Sequence, residues 1–361
     1  MTGVIESVST RRIHIPLSRP WGDDVREVGV VEVRIERDDG AVGHGFSWTP
    51  SIGAGAVDSI LREDLGPWLI GRPAEAELWQ DAWEHLHEAG GGGVTTIALA
   101  GIDLALWDLS LRDRGLALAD ALGRRHDSLP AYGSGVNLHY PLDELVAQAA
   151  RWREAGYAGV KIKVGKPDLG EDVDRVAAVR ETIGPGIRLM IDANQRWELD
   201  RAIRSIAALS SFGLDWIEEP LRSDDGRGYR RLHEQIDVPV ALGENVHTIH
   251  RFRELVDAQA IDVLQPNVVR VGGITPFLRI AELARESDLT LAPHLLPELS
   301  AQLAFALAEP CWVEDVEDAA FATLGALAEP SGVQIVAGRA VGGRAPGIGI
   351  RFARASGTES A

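Results

Sequence analysis

The chain has 361 residues, 45% of them hydrophobic and 25% charged, long enough for one large globular domain and a smaller one. Its 54 acidic and 36 basic side chains give a formal charge of -18, which argues against nucleic acid and anionic membrane as partners but leaves an anionic small substrate open. Cys311 is the only cysteine, so no intrachain disulfide forms. With no secretory leader and no apolar run of membrane-spanning length, the expected compartment is the cytoplasm.

Residues 1–127 read as an α+β domain. SVSTRRIHIPL and VGVVEVRIERDDGAVGHG alternate apolar and polar residues, and the DDG at 38–40 marks a turn, so this part is expected to be an antiparallel sheet. Residues 55–88 and 95–113 carry helical periodicity, separated by the glycines at 90–93. No strand and no Gly-Lys-Ser/Thr flanks those glycines, so they read as a flexible connection rather than a phosphate cradle.

Residues 128–318 change pattern. Short apolar runs (LPAYGSGVN, GVKIKVG, IRLMIDAN, DWIEEP, PVALGEN, IDVLQPN, LTLAPH and CWVEDV) alternate with amphipathic stretches. Such βα repetition predicts a (β/α)8-type barrel, with the site at the carboxyl ends of the strands. A doubly wound open sheet is the competing fold, but polar residues close nearly every run, which suits a ring. Residues 319–361 are loop-rich; GGRAPGIGIRF is expected to return to the first domain, and ARASGTESA to fray.

Asp192, Glu218 and Glu244 are spaced 26 residues apart, each at the end of such a run. On neighbouring strands about 4.8 Å apart they would repel, and a divalent cation relieves that. Oxygen-only ligation with room for substrate favours Mg²⁺. Asp192 alone has a plainer reading as a helix cap or turn residue, whereas Glu244, after a wholly apolar run, is harder to place on the surface. Glu219 should point away from the site and form a structural ion pair. Lys161 and Lys163 share a strand face, so each is expected to lower the other's pKa toward that of a neutral-pH base. An isolated KxK is more often a solvated pair. Asn194 shares the Asp192 face and can orient a ligand. Across the ring, Gln265, Asn267, His294 and Glu314 end later runs. His294 is a candidate second acid/base, and Glu314 is either a protonated donor to a substrate carboxylate or half of an ion pair. Metal, lysine and histidine so placed can remove a proton α to a carboxylate and stabilise the enediolate.

In GHGFSWTP, ALAGIDLALWDL, VKIKVG, IDANQRW, WIEEPL, VALGEN, QPNVVRVGGITPFLRIAELA, APHLLPELSAQLA and APGIGI, the chain resembles the mandelate racemase branch of the enolase superfamily over nearly its full length. The resemblance implies a modified TIM barrel, (β/α)7β, with an N-terminal capping domain completed by the C-terminal segment. It implies Mg²⁺ on Asp192, Glu218 and Glu244, Lys163 as base with Lys161 as its electrostatic partner, His294 as the second acid/base, and Glu314 against the substrate carboxylate. It also implies lid loops around Ser18–Glu27 and Phe46–Gly53, with Trp21, Asp23, Arg26, Trp48 and Thr49 near the substrate, Arg26 toward a distal carboxylate, and a homo-oligomer. IDANQRW…WIEEPL and QPNVVRVGGITPFL look most like galactarate/talarate-type acid-sugar dehydratases, whereas GHGFSWTP and the WIEEP…GEN spacing also look like the racemases. Asn267 departs from the family's usual aspartate, and loss of that charge is expected to lower the His294 pKa and to weaken a two-base racemase most. Dehydratase, racemase or epimerase of a 2-hydroxy acid, and a catalytically weak sugar-acid binder are the three readings.

Overall fold

The computed structural model describes residues 3–22 and 24–353; Asp23 and all but the first residue of the ARASGTESA tail lie outside the described residues. The first three strands, β1 (Ile5–Trp21), β2 (Val25–Arg37) and β3 (Val42–Thr49), form an antiparallel sheet in that order. The segment expected as a first lid loop is the tip of the long β1–β2 hairpin, where the pairing shifts register between Pro16 and Trp21, and the first half of the second, 46–49, belongs to β3. The DDG turn joins β2 to β3 as read.

The helix Val94–Asp113 lies on this sheet. A Cβ on Gly45 would sit 2.1 Å from the Gly101 carbonyl oxygen, so glycine is what lets strand and helix backbones meet. This helix corrects one expectation: by length and composition it is apolar enough to cross a membrane. Its apolar character has another cause, burial on nearly every side in the core, with Asp103 and Asp108 buried along it.

Eight parallel strands follow: β4 (Ser128–Ser134), β5 (Gly159–Lys163), β6 (Arg188–Asp192), β7 (Leu214–Glu218), β8 (Val240–Leu242), β9 (Val263–Leu264), β10 (Thr290–Leu291) and β11 (Val313–Val316). They run in order from β4 to β10, with β11 on the other side of β4. All eight apolar runs contribute one strand each. Seven helices connect them, and after β11 the chain makes the antiparallel hairpin β12 (Val333–Val336) and β13 (Arg339–Gly342), which pairs with β4. This is the (β/α)7β arrangement; the hairpin itself went unread in the sequence. Residues 347–352 then return to the cap, with Gly347 bonding Leu116 and Phe352 packing on Phe46.

Strand alternation sorts the barrel side chains. Val160, Ile162, Leu189, Ile191, Ile217, Val240 and Leu242 join the core beneath the helices. Tyr132, Met190, Trp216, Ala241, Val263 and Ala292 form a separate apolar layer inside the ring. Lys161, Lys163, Asp192 and Glu218 keep the same phase further along their strands and therefore stand inside, above that layer.

Cap and barrel meet at the start of the helix Ile274–Glu286. Asp103 of the cap accepts from the Thr275 N–H at 3.0 Å, supplying the N-cap that Gly273 cannot, and a Cβ on Gly273 would strike that carboxylate at 2.2 Å. Burial pushes Asp103 from 3.8 up to about 7. Between those values the folded protein holds a proton that the unfolded chain has lost, so stability should fall as pH rises from about 4 to about 7. Asp103→Asn should flatten that decline, read as the difference between wild-type and variant melting temperatures across the range; parallel curves would contradict it.

Candidate active site

The carboxyl ends of the barrel strands gather an acidic cluster threaded by two lysines. Cα register places Lys163 beside Asp192 and Asp192 beside Glu218. Lys161 is buried, bonds both Glu218 oxygens at 2.7 Å and reaches Glu314 Oε1 at 2.7 Å. Lys163 pairs with Asp192. Glu218 also accepts from Gln265 Nε2 at 2.6 Å, and Asn194, though exposed, donates to Glu244 at 3.3 Å. His294 Nε2 lies 2.5 Å from Glu244 Oε2 and 3.8 Å from Glu314 Oε2, while its Nδ1 faces the Asn267 amide at 3.1 Å. Asp192, Glu218, Glu244, Lys161, Lys163, His294, Asn267, Glu314 and Asn194 thus come together as one site.

The electrostatics overturn several sequence-based expectations. Burial pulls Lys161 down, but Glu218 and Glu314 outweigh it and leave the ammonium well above its ordinary range. Lys163 is likewise pulled down by burial and raised on balance by Asp192. The lysines were expected to fall because only their mutual repulsion is visible in a KxK; the pairings come from other strands. Glu314 is ionised, not a protonated donor: burial raises it, and Lys161 and His294 hold it at about 2. His294 is raised rather than lowered, since Glu244 and Glu314 outweigh its burial even without an aspartate at 267. Glu219 does not turn away into an ion pair. Its φ of 39° breaks the strand alternation, and it lies buried, accepting from Asn245 at 2.8 and 3.0 Å. Burial, then the charge of Glu244, pushes it well above its ordinary value.

Among the cap residues, Trp48 is buried and faces the Arg270 guanidinium 6.0 Å from its ring centre. Trp21 is only partly buried against the core and Arg26 is exposed; among the described residues no hydrogen bond or ion pair ties either to the cluster. Arg270 was missed. It bonds Asn245 Oδ1 at 2.6 Å and acts on Glu244, and its signal was a cation on the turn just after Asn267, beside the acidic strand ends.

The donor set fits a hard divalent cation. Carboxylates outnumber the fixed cations Lys161, Lys163 and Arg270, and burial together with Asp192 and Glu314 pushes Glu218 up to about 7 despite its contact with Lys161. Ligand atoms of Glu218, Glu244 and His294 lie within 4.8 Å of one another, whereas Asp192 is turned to Lys163. Asp192, Glu218 and Glu244 supply the oxygen donors such an ion prefers.

Residues 3–123 match the family described as mandelate racemase / muconate lactonizing enzyme, N-terminal domain, and residues 144–356 match the enolase C-terminal domain-like family. The 3,6-anhydro-alpha-L-galactonate cycloisomerase of Streptomyces coelicolor is 39% identical over 82% of this chain and 84% of its own. The L-talarate/galactarate dehydratase of Salmonella typhimurium is 36% identical over 87% and 81%. The crystal structure of L-talarate dehydratase from Polaromonas sp. JS666, complexed with Mg and L-glucarate, superposes with a TM-score of 0.87 at 37% identity, covering 98% of this chain and 96% of that one.

Lys161 is the cation on which the buried acids depend. Lys161→Met should leave Glu218 and Glu314 without their partner and lower the unfolding free energy by about 3–5 kcal/mol. Urea unfolding should show a larger loss at pH 8 than at pH 5, where the carboxylates can take up protons instead. An equal loss at both would contradict the pairing.

Proposed function

The chain belongs to the mandelate racemase / muconate lactonizing enzyme family of enolase-like proteins, and on that premise we propose that it is a Mg²⁺-dependent acid-sugar dehydratase. The observation that carries this reading is the convergence of Lys163, Asp192, Glu218, Glu244 and His294 at one barrel mouth, in a chain 36% identical to a talarate/galactarate dehydratase. Mg²⁺ held by Asp192, Glu218 and Glu244 supplies Lewis-acid polarisation of the substrate carboxylate.

The chain's own residues do the rest. An Asp192 engaged as a ligand no longer holds the Lys163 ammonium, so burial and the neighbouring Lys161 charge draw Lys163 toward a base. Its free nitrogen takes the C2 proton. The electron pair released forms the C2–C3 double bond as the C3–O bond breaks; the departing hydroxide, hydrogen-bonded to His294, takes the proton that Lys163 has gained and leaves as water. The enol then tautomerises to a 2-keto-3-deoxy acid. Lys161 offsets the charge that develops on the substrate, and Glu314 keeps Lys161 in place. A ring oxygen at C3 can depart by the same route without loss of water, a second reading favoured by the 39% identity to a cycloisomerase. The proposal also takes the enzyme to be cytoplasmic and homo-oligomeric, its subunits counted by light scattering.

Incubating a library of acid sugars with Mg²⁺ in D₂O separates the readings. Dehydration gives a keto product lighter by one water, and ring opening gives a keto isomer of equal mass. Deuterium at C2 with inverted configuration and no keto product makes the chain an epimerase, and no exchange at all makes it a binder. Lys163→Ala should lose about 10²–10⁴-fold in the product-forming rate. Mg²⁺ at a hundred times its dissociation constant should stabilise the protein by about 2.7 kcal/mol. Asp192→Asn and Glu244→Gln should each remove most of the resulting rise in melting temperature; a rise retained in both would place the ion elsewhere.

A further inference from the structure

Asn267 is buried on the turn after β9, and its Oδ1 accepts from the backbone N–H groups of Val269 at 3.1 Å and Arg270 at 3.2 Å. An amide nitrogen cannot accept from two N–H groups, so these bonds decide which end of the carboxamide is oxygen. The atom facing His294 Nδ1 at 3.1 Å is therefore Nδ2, which has only protons to offer. Nδ1 must meet it with a lone pair. The other ring nitrogen, Nε2, faces Glu244 and Glu314 at 2.5 and 3.8 Å, and a carboxylate calls for a donor. Both sides of the ring specify the same tautomer.

We propose that Asn267 is a positioning residue that fixes His294 with its proton on Nε2, making it a hydrogen-bond donor toward the substrate and leaving Lys163 as the only base. An aspartate here would accept from Nδ1–H and leave the Nε2 lone pair facing the site, free to take a proton. With Asn267 that lone pair is turned away from the substrate. The orientation does not depend on how Glu244 is engaged, because the backbone of the asparagine's own turn holds it. The inference rests on the proposed elimination and deepens it: elimination needs a base on one face only, whereas inversion at C2 needs one on each.

Nitrogen-15 NMR of the full chain, histidine-labelled and with Mg²⁺ added, reads the tautomer directly, the His294 signals being those lost in His294→Asn. The expected result, at a pH above the raised His294 pKa where the ring is neutral, is an unprotonated Nδ1 and a protonated Nε2, with Asn267→Asp moving a proton onto Nδ1. A protonated Nδ1 in the wild-type protein overturns the proposal, whether or not the variant folds. In D₂O the wild type should place deuterium at C2 of one epimer of an acid-sugar pair, and Asn267→Asp should gain exchange at the other by about a hundredfold. Equal exchange of both epimers by the wild type also overturns it. If no acid sugar exchanges, the proposed reaction fails, and the NMR result decides the tautomer alone.

Discussion

The structure depends on how buried carboxylates at one end of a barrel are kept from driving each other apart. Lys161 is the centre of the answer. From β5 it bonds Glu218 on β7 and Glu314 on β11, so one ammonium ties three strands across the ring. Glu314 also accepts from the Leu295 N–H just beyond β10 at 2.9 Å. The backbone ladder joins β11 to β4 and β10 to β9, so this side-chain bond bridges the stretch between β10 and β11. The residues that close the barrel are the residues offered to chemistry.

That economy has an electrostatic consequence. Three basic groups in the mouth are each paired with an acid that is also a candidate ligand or substrate contact: Lys163 with Asp192, His294 with Glu244, Lys161 with Glu218. Burial alone would strip the two lysine charges, and their pairings preserve them. A site so balanced changes the protonation of its bases whenever one acid is drawn to another partner. Its bases are therefore set by occupancy as much as by position.

Much of this was legible in the sequence because a strand has a period of two. GVKIKVG and IRLMIDAN assign Val160, Ile162, Leu189 and Ile191 to one face and Lys161, Lys163 and Asp192 to the other, and the regular spacing of the acids puts them at one end. What could not be read is what depends on backbone exceptions and on partners from distant strands. Glu219 turns inward through a left-handed φ that no alternation rule foresees. Both lysine shifts had the wrong sign because the carboxylates that outweigh burial lie 29 to 153 residues away along the chain. Asn267 was visible as a departure, but the direction of its amide is set by the turn that follows it.

That turn is where the cap reaches into the chemistry. Trp79 donates to the Gly272 carbonyl at 2.8 Å, Trp107 to Thr275 Oγ1 at 3.0 Å, and Asp103 accepts from the Thr275 N–H. Trp48 faces Arg270 from the same domain. Four cap side chains thus converge on residues 270–275, and Arg270 N–H is one of the two groups that orient Asn267. Burial locks the Trp79 and Asp103 contacts, since loosening either would leave a polar atom unsatisfied in the core. A capping domain is usually read as a cover over the substrate. Here its helices also hold the segment that aims the asparagine, and through it the imidazole, so cap and barrel share one acid/base geometry.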